Sequence, residues 1–111
     1  MRFEWDDDKN KRNLAKHGIS FETASFAFED PYALTDRDIF GEEERWNTLA
    51  SIAPGVVLFI VHTWMESDSE EVIRLISARA AESRERKTYE KAQRAAKTRG
   101  RGHRRKNRRR H

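Results

Sequence analysis

Arg79, Glu82, Arg86 and Tyr89 follow one another at intervals of three, four and three residues. On a single helix, a turn of about 100° per residue gathers all four within roughly 80° of arc. Two guanidinium groups in such a stripe suit a phosphodiester, by charge and by bidentate geometry. A tyrosine beside them can stack on a base or pass a proton, and a carboxylate can act as a base. The competing reading is a solvated helix face laced with ion pairs, and spacing alone favours it. His17 is the second candidate, since an ordinary imidazole titrates near neutrality. Lys9, Asn13 and Lys16 precede it on the same expected helix. Its plainer role is to complete the helix C-terminus, where a cation is favoured. Arg74 stands between Val72 and Ile76 in an expected strand. There it calls for a carboxylate or a ligand phosphate as partner. His62 alternates with Leu58, Ile60 and Trp64 and reads as a satisfied core histidine.

Other chemistry is poorly supported. The 111 residues contain no cysteine, which excludes disulfides and thiolate metal sites. There is no Gly-rich phosphate loop, no GxSxG and no HExxH, and the histidines lack metal spacing within the body, so neither a metal nor a cofactor is expected. The longest apolar run, Val56 to Val61, is too short to span a bilayer. No signal peptide opens the chain, so a cytoplasmic protein without membrane contact is the expectation.

The elements that must position these residues follow from pattern. Phe3-Glu4-Trp5 reads as a short strand. Asp6 can cap a helix running through Lys9 to His17, closed by Gly18 in the left-handed position. Ser20 can cap a second helix, whose buried stripe is Phe21, Ala24, Ser25 and Phe28 and which Asp30-Pro31 ends. Residues 32–38 read as an edge strand, and Phe40 to Glu44 as an acidic loop. Residues 45–52 pair with 56–64 across Ala53-Pro54-Gly55, and 72–77 follow after a turn at Glu66 to Glu71. A last helix capped by Ser77 is expected from about Ala80 toward Lys97, with Ala81, Thr88, Ala92 and Ala95 on the sheet side and Gly100 and Gly102 ending it. The fold class is therefore α+β: a compact antiparallel sheet of about four strands, two N-terminal helices and one C-terminal helix.

Charge divides the chain. Residues 1–90 hold 12 Lys and Arg against 19 Asp and Glu, a net charge of −7, whereas residues 91–111 hold 11 basic residues and no acid. Residues 98–111 contain no apolar side chain, so they read as a disordered Arg-rich tail after a domain over 1–97. A mean hydropathy of −1.00 allows one modest core.

Two stretches carry a family resemblance. FEWDDDKNKRNLAKHGISFETA has the pattern F-x-W-D-x-x-K-x-x-x-N-x-x-K-H-G-[IV]-x-F-x-x-A, and IRLISARAAESRERKTYE has I-R-x-I-S-A-R-x-A-x-x-x-E-R-x-x-Y. Both resemble the BrnT family, the toxin half of the BrnT–BrnA type II toxin–antitoxin system, and Arg45 also fits. The resemblance spans residues 3–90; the basic segment after Tyr89 departs from it. It implies a RelE-like fold and a ribonuclease that inhibits translation. It implies a ribbon-helix-helix antitoxin of the BrnA kind as partner, with operator DNA bound only through the joint complex. It carries over Lys9, His17, Arg79, Glu85, Arg86 and Tyr89 as motif positions. The expected activity is metal-independent endoribonuclease chemistry, with His17, Arg79, Glu82, Arg86 and Tyr89 as catalytic candidates: Arg79 and Arg86 as charge stabilisers, His17 as the preferred acid or base, and Glu82 or Tyr89 as its alternatives. Lys9 and Arg74 are expected to bind the RNA substrate. Two other classes remain: a non-catalytic nucleic-acid-binding module, and an inactive toxin-like domain kept as an antitoxin partner.

Overall fold

The computed structural model describes residues 1–38 and 43–110, those from 100 onward by their backbone alone. The expected loop from Phe40 to Glu44 thus lies mostly outside the described residues. The elements in order are β1 (Arg2–Glu4), α1 (Asp7–His17), α2 (Phe21–Ser25) with a 3₁₀ turn over Phe26–Glu29, β2 (Leu34–Asp38), β3 (Arg45–Ala53), β4 (Val56–His62), β5 (Met65–Ser67), β6 (Glu70–Ala80) and α3 (Ser83–Arg110).

The start and stop signals of α1 act as the sequence suggests. Asp6 accepts the Lys9 amide at 3.1 Å, Asp7 and Asp8 occupy the first turn, and Gly18 closes the helix at φ 73°. Ser20 caps α2 through the Thr23 amide. The buried stripe then shifts: Phe21, Ala24 and Ala27 are fully buried, while Ser25 bonds the Glu22 carbonyl. The change to 3₁₀ winding at Phe26 explains this, because three residues per turn bring Ala27 beneath Ala24.

The sheet order is β1-β6-β4-β3-β2, with β5 also paired to β6. It has six strands rather than about four, and it is mixed: β1 runs parallel to β6, Phe3 beside Ile73, while the other pairs are antiparallel. Pro54-Gly55, with Gly55 at φ 76°, makes the β3–β4 turn. The expected strand over 56–64 stops at His62, where the Thr63 amide donates to the Arg74 carbonyl, and resumes as β5. The segment expected as one acidic turn, Glu66 to Glu71, is itself a hairpin. Asp68 and Ser69 both have positive φ at its tip, as a type I′ turn requires.

The largest departure is at the end of β6. That strand runs to Ala80, and the helix begins only at Ser83. Helix-favouring SARAA is held extended by pairing with β4, Arg79 opposite Phe59 and Ala80 opposite Leu58, and the Ala81 amide donates to Val57. Sheet pairing overrides local propensity here. The helical backbone of α3 also continues past Gly100 and Gly102, where the sequence reading ends it. The side chains of that segment, and so most of the expected tail, lie outside the described ones.

One face of the sheet is closed. Ala50, Leu58, Ile60, Ile73, Leu75 and Ala78 pack there with Phe21, Ala24 and Ala27 of the α2 region. Asn13 locks α1 onto this face: its Nδ2 donates to the Ala78 and Ile19 carbonyls, both at 2.8 Å, and its Oδ1 accepts the Ala78 amide at 3.1 Å. His62 is buried on the same face. Its Nδ1 donates to the Thr63 carbonyl, so Nε2 accepts the Thr48 hydroxyl at 2.7 Å. It is the satisfied core histidine expected from the sequence.

Candidate active site

The other face is the open one, and a bulge determines what it carries. Arg74 and Arg79 are five residues apart, so strict alternation would send them to opposite faces. Leu75 pairs with His62 and Ser77 with Val61, which leaves Ile76 as an extra residue in β6. That residue restores the phase, and Arg74, Ser77 and Arg79 share the open face. Arg79 lies over the Phe59 ring, 4.3 Å from its centroid.

Arg79 is held from three sides. Its guanidinium meets Glu85 in a two-pronged pair, Nη1 to Oε1 at 2.8 Å and Nη2 to Oε2 at 3.0 Å, with Glu82 at 3.7 Å. Nη1 also donates to the Ala80 carbonyl at 3.2 Å. Glu85 Oε1 in turn accepts the Glu82 amide at 2.8 Å, one half of a capping box at the start of α3. Hydrogen bonding to Arg79 holds the Glu85 carboxyl below its usual range, and the same contact raises Arg79. Both stay ionised, and with 30% of its side chain exposed Arg79 still faces solvent.

The remaining candidates fall into place around this pair or away from it. Because β6 extends to Ala80, the expected helical stripe does not exist as one face. Arg79 is on the strand, Glu82 at the helix entrance, and Arg86 and Tyr89 on the helix. Arg86 is exposed one turn in, its amide donating to the Glu82 carbonyl at 2.8 Å. Tyr89 is turned inward, 2% exposed, and its hydroxyl donates to Asp30. Asp30 also accepts the Ser51 amide at 2.8 Å and the Tyr32 amide at 2.9 Å. Burial, then Asp30, drives the Tyr89 hydroxyl far above its ordinary value. This joint fastens α3 to the end of the sheet, so the helix rests on Tyr89 while Thr88 and Ala95, expected against the sheet, are exposed.

Arg74 is exposed on the open face, roughly 16 Å along β6 from Arg79 at strand rise. Lys9 and His17 are exposed at the two ends of α1, about 12 Å apart by helix rise, in the layer that covers the closed face. The structure thus brings Arg79, Glu82 and Glu85 into contact, sets Arg86 one helical turn beyond Glu82, and leaves Lys9, His17 and Tyr89 elsewhere. Asn47 was missed by sequence reasoning. It shares the open face with Val61 and Ser77, and its Oδ1 is buried without a hydrogen-bond donor among the described residues. Asp30 was missed too, having served only as a helix stop. Glu85 had a signal, a Glu three residues past the helix entrance. Among the described residues no group of three or more His, Asp or Glu could hold a metal ion, and no helix is long and apolar enough to cross a membrane.

Comparison with known proteins shows the fold and the family. The crystal structure of the Brucella abortus ribonuclease toxin BrnT is similar in fold, with a TM-score of 0.55 and 22% identity over 75% of this chain and 99% of that one. No curated protein matches the chain. The family model described as the ribonuclease toxin, BrnT, of type II toxin–antitoxin systems matches residues 5–85, from the strand-to-helix entry of α1 to the carboxylate that holds Arg79. The chain therefore belongs to the BrnT family of ribonuclease toxins.

Proposed function

We propose that this protein cleaves RNA on the open sheet face without a metal ion, at the junction of β6 and α3. The observation that carries the reading is Arg79: a cation fixed by Glu85 and Phe59, open to solvent, with the exposed Glu82 carboxylate in looser contact at 3.7 Å and a second arginine, Arg86, one helical turn beyond Glu82. In this mechanism the ribose 2′-oxygen attacks the adjacent phosphorus and the P–O5′ bond breaks, leaving a 2′,3′-cyclic phosphate. The 2′-hydroxyl proton passes to Glu82, and the 5′-oxygen takes a proton from water on the exposed face. Arg79 and Arg86 stabilise the charge that develops on the phosphorane. Glu82 is favoured as the base over Tyr89, which is buried and committed to Asp30, and over His17, which ends α1 in the other layer. Arg74 and Asn47 extend the face as contacts to a phosphate further along the strand and a base or ribose donor, and Lys9 stays outside it.

The partner we propose is a basic ribbon-helix-helix antitoxin that covers this face in the cytoplasm, operator DNA being bound only through the complex. The acidic body, net −7 over residues 1–90, speeds encounter with a positive surface. The deciding experiment incubates the protein with RNA in excess chelator and maps the ends. Cyclic-phosphate ends, lost in Glu82→Gln, are expected. Cleavage that needs added Mg²⁺ overturns the metal-free mechanism, and binding without cleavage favours the non-catalytic module.

A further inference from the structure

Most cations of the sheet already have partners. Arg2 meets Glu4 and Glu70, Arg37 meets Glu44, Arg45 meets Glu43, and Arg79 meets Glu82 and Glu85. The helix α3 is different. Arg84, Lys87, Lys91 and Arg94 are exposed, and none forms a salt bridge among the described residues. Their spacing of three, four and three residues places them within roughly 80° of arc. That arc is opposite the side resting on the sheet, where Glu85, Tyr89 and Ala92 lie. A shallow surface depression between the side chains of Ser83, Arg84, Lys87, Thr88 and Lys91 lies at the start of the stripe. The next position at this spacing is the uncharged Thr98, so the described stripe ends at Arg94. Most of the stripe lies beyond residue 85, where the family match ends.

We infer that this stripe is a track for the phosphate backbone of RNA, which leads the strand along α3 from the β6–α3 junction. It rests on the reading of RNA as the substrate. The charges begin beside the site at Arg84 and reach about 15 Å further by Arg94, with steps of about 4.5 and 6 Å along the axis. A row of cations with no apolar or aromatic member suits a polyanion of regular charge. A membrane surface needs an apolar face on the helix, and here the face carrying Tyr89 is already spent on the sheet. A protein partner needs buried aromatic or aliphatic anchors, which the stripe lacks. Phosphate contacts act through counterion release, so the track raises affinity without reading sequence.

The test uses the full chain and a fully 2′-O-methylated RNA 20-mer, which has no 2′-hydroxyl to react, titrated across a range of salt. Lys87→Gln/Lys91→Gln/Arg94→Gln is compared with Lys11→Gln/Lys16→Gln, which removes exposed cations from α1. Three lost contacts should flatten the log–log salt slope by about 2 and weaken binding on the order of 10- to 100-fold at 0.1 M salt, at ~0.7 per phosphate. The α1 variant should keep the wild-type slope. An unchanged slope in the α3 variant, or an equal fall in the α1 variant, overturns the track, as does stripe-dependent binding to an acidic protein but not to the RNA. Cleavage of unmodified RNA is scored separately. A flattened slope in a protein that never cleaves sinks the nuclease and keeps the track, and cleavage with an unaltered slope does the reverse.

Discussion

The two faces of the sheet spend their polar groups differently. On the closed face Asn13, Thr48 and His62 are buried, and their side chains bond to backbone groups or to one another. On the open face Arg79 keeps a solvent-facing side after binding Glu85, and the Asn47 side-chain oxygen has no donor among the described residues. A satisfied buried network fixes one arrangement, whereas a charge held in place but left partly open can still act on a ligand. Mutations should therefore separate: closed-face changes cost stability, and open-face changes cost activity.

The largest effect is expected at Arg79. Arg79→Ala should lower RNA cleavage by about 10²–10³-fold, the usual cost of one transition-state charge stabiliser. Arg79→Lys keeps the charge but not the two-pronged fork on Glu85, so it should recover only part of the activity. Single-turnover cleavage assays with melting curves on the same samples check both. Equal cleavage by wild type and Arg79→Ala breaks the division between faces.

Asn13→Ala is the matching change on the closed face. It strands the Ala78 amide and two carbonyls in a buried joint, at about 1–3 kcal/mol for a lost partner. Asn13→Asp accepts the amide but cannot donate to the carbonyls, so it should not rescue. Denaturant unfolding reads the loss, and cleavage by the fraction that remains folded should be near wild type.

The pH dependence of stability sharpens the contrast. Burial lowers the His62 pKa, only partly offset by the hydrogen bond to Thr63. Above about pH 6.5 the ring is neutral in both states and contributes no slope. As pH falls below that value the unfolded chain takes up a proton that the native chain resists, so stability declines until the lowered native pKa is passed. Glu85, whose pKa is also lowered, adds its loss only in the acid range, through and below its usual 4.5. Melting curves from pH 8 to 5 should show the first decline in wild type and lose it in His62→Gln, itself less stable at pH 8.

Much of the closed face was legible in the sequence, because caps and apolar periodicity are local signals. Asp6, Ser20 and Gly18 mark their helix ends, and His62 alternates with Leu58 and Ile60. The site was less legible for one reason: its geometry depends on where β6 ends. SARAA favours a helix locally, and only pairing with β4 extends it, so Arg79 and Glu82 left the expected helical stripe and Tyr89 turned inward. The bulge that aligns Arg74 with Arg79 comes from the same pairing and leaves no mark in the sequence. The parallel pairing of β1 is likewise long-range.

Tyr89 gives the smallest effect and the finest cut, since it was a catalytic candidate by sequence and is a joint by structure. Tyr89→Phe keeps the ring under α3 and removes only the hydroxyl that donates to Asp30. Asp30 retains the Ser51 and Tyr32 amides, so the carboxylate is not stranded. The expected cost is about 1–2 kcal/mol of stability, the range for a hydrogen bond to a charged group. Cleavage by Tyr89→Phe should stay within about twofold of wild type, because a hydroxyl driven this far above its ordinary pKa and held on a carboxylate is a poor source of a proton. Asp30→Asn tests the joint from the other side: its single amide oxygen can take the place of Oδ2 for Tyr89 and Ser51 only by turning its NH2 toward the Tyr32 amide, so it should lose stability with little change in rate. A fall of 10²-fold or more in single-turnover rate for Tyr89→Phe, at unchanged melting temperature, would return Tyr89 to the chemistry and move the reacting phosphate from Arg79 toward the Asp30 end of α3.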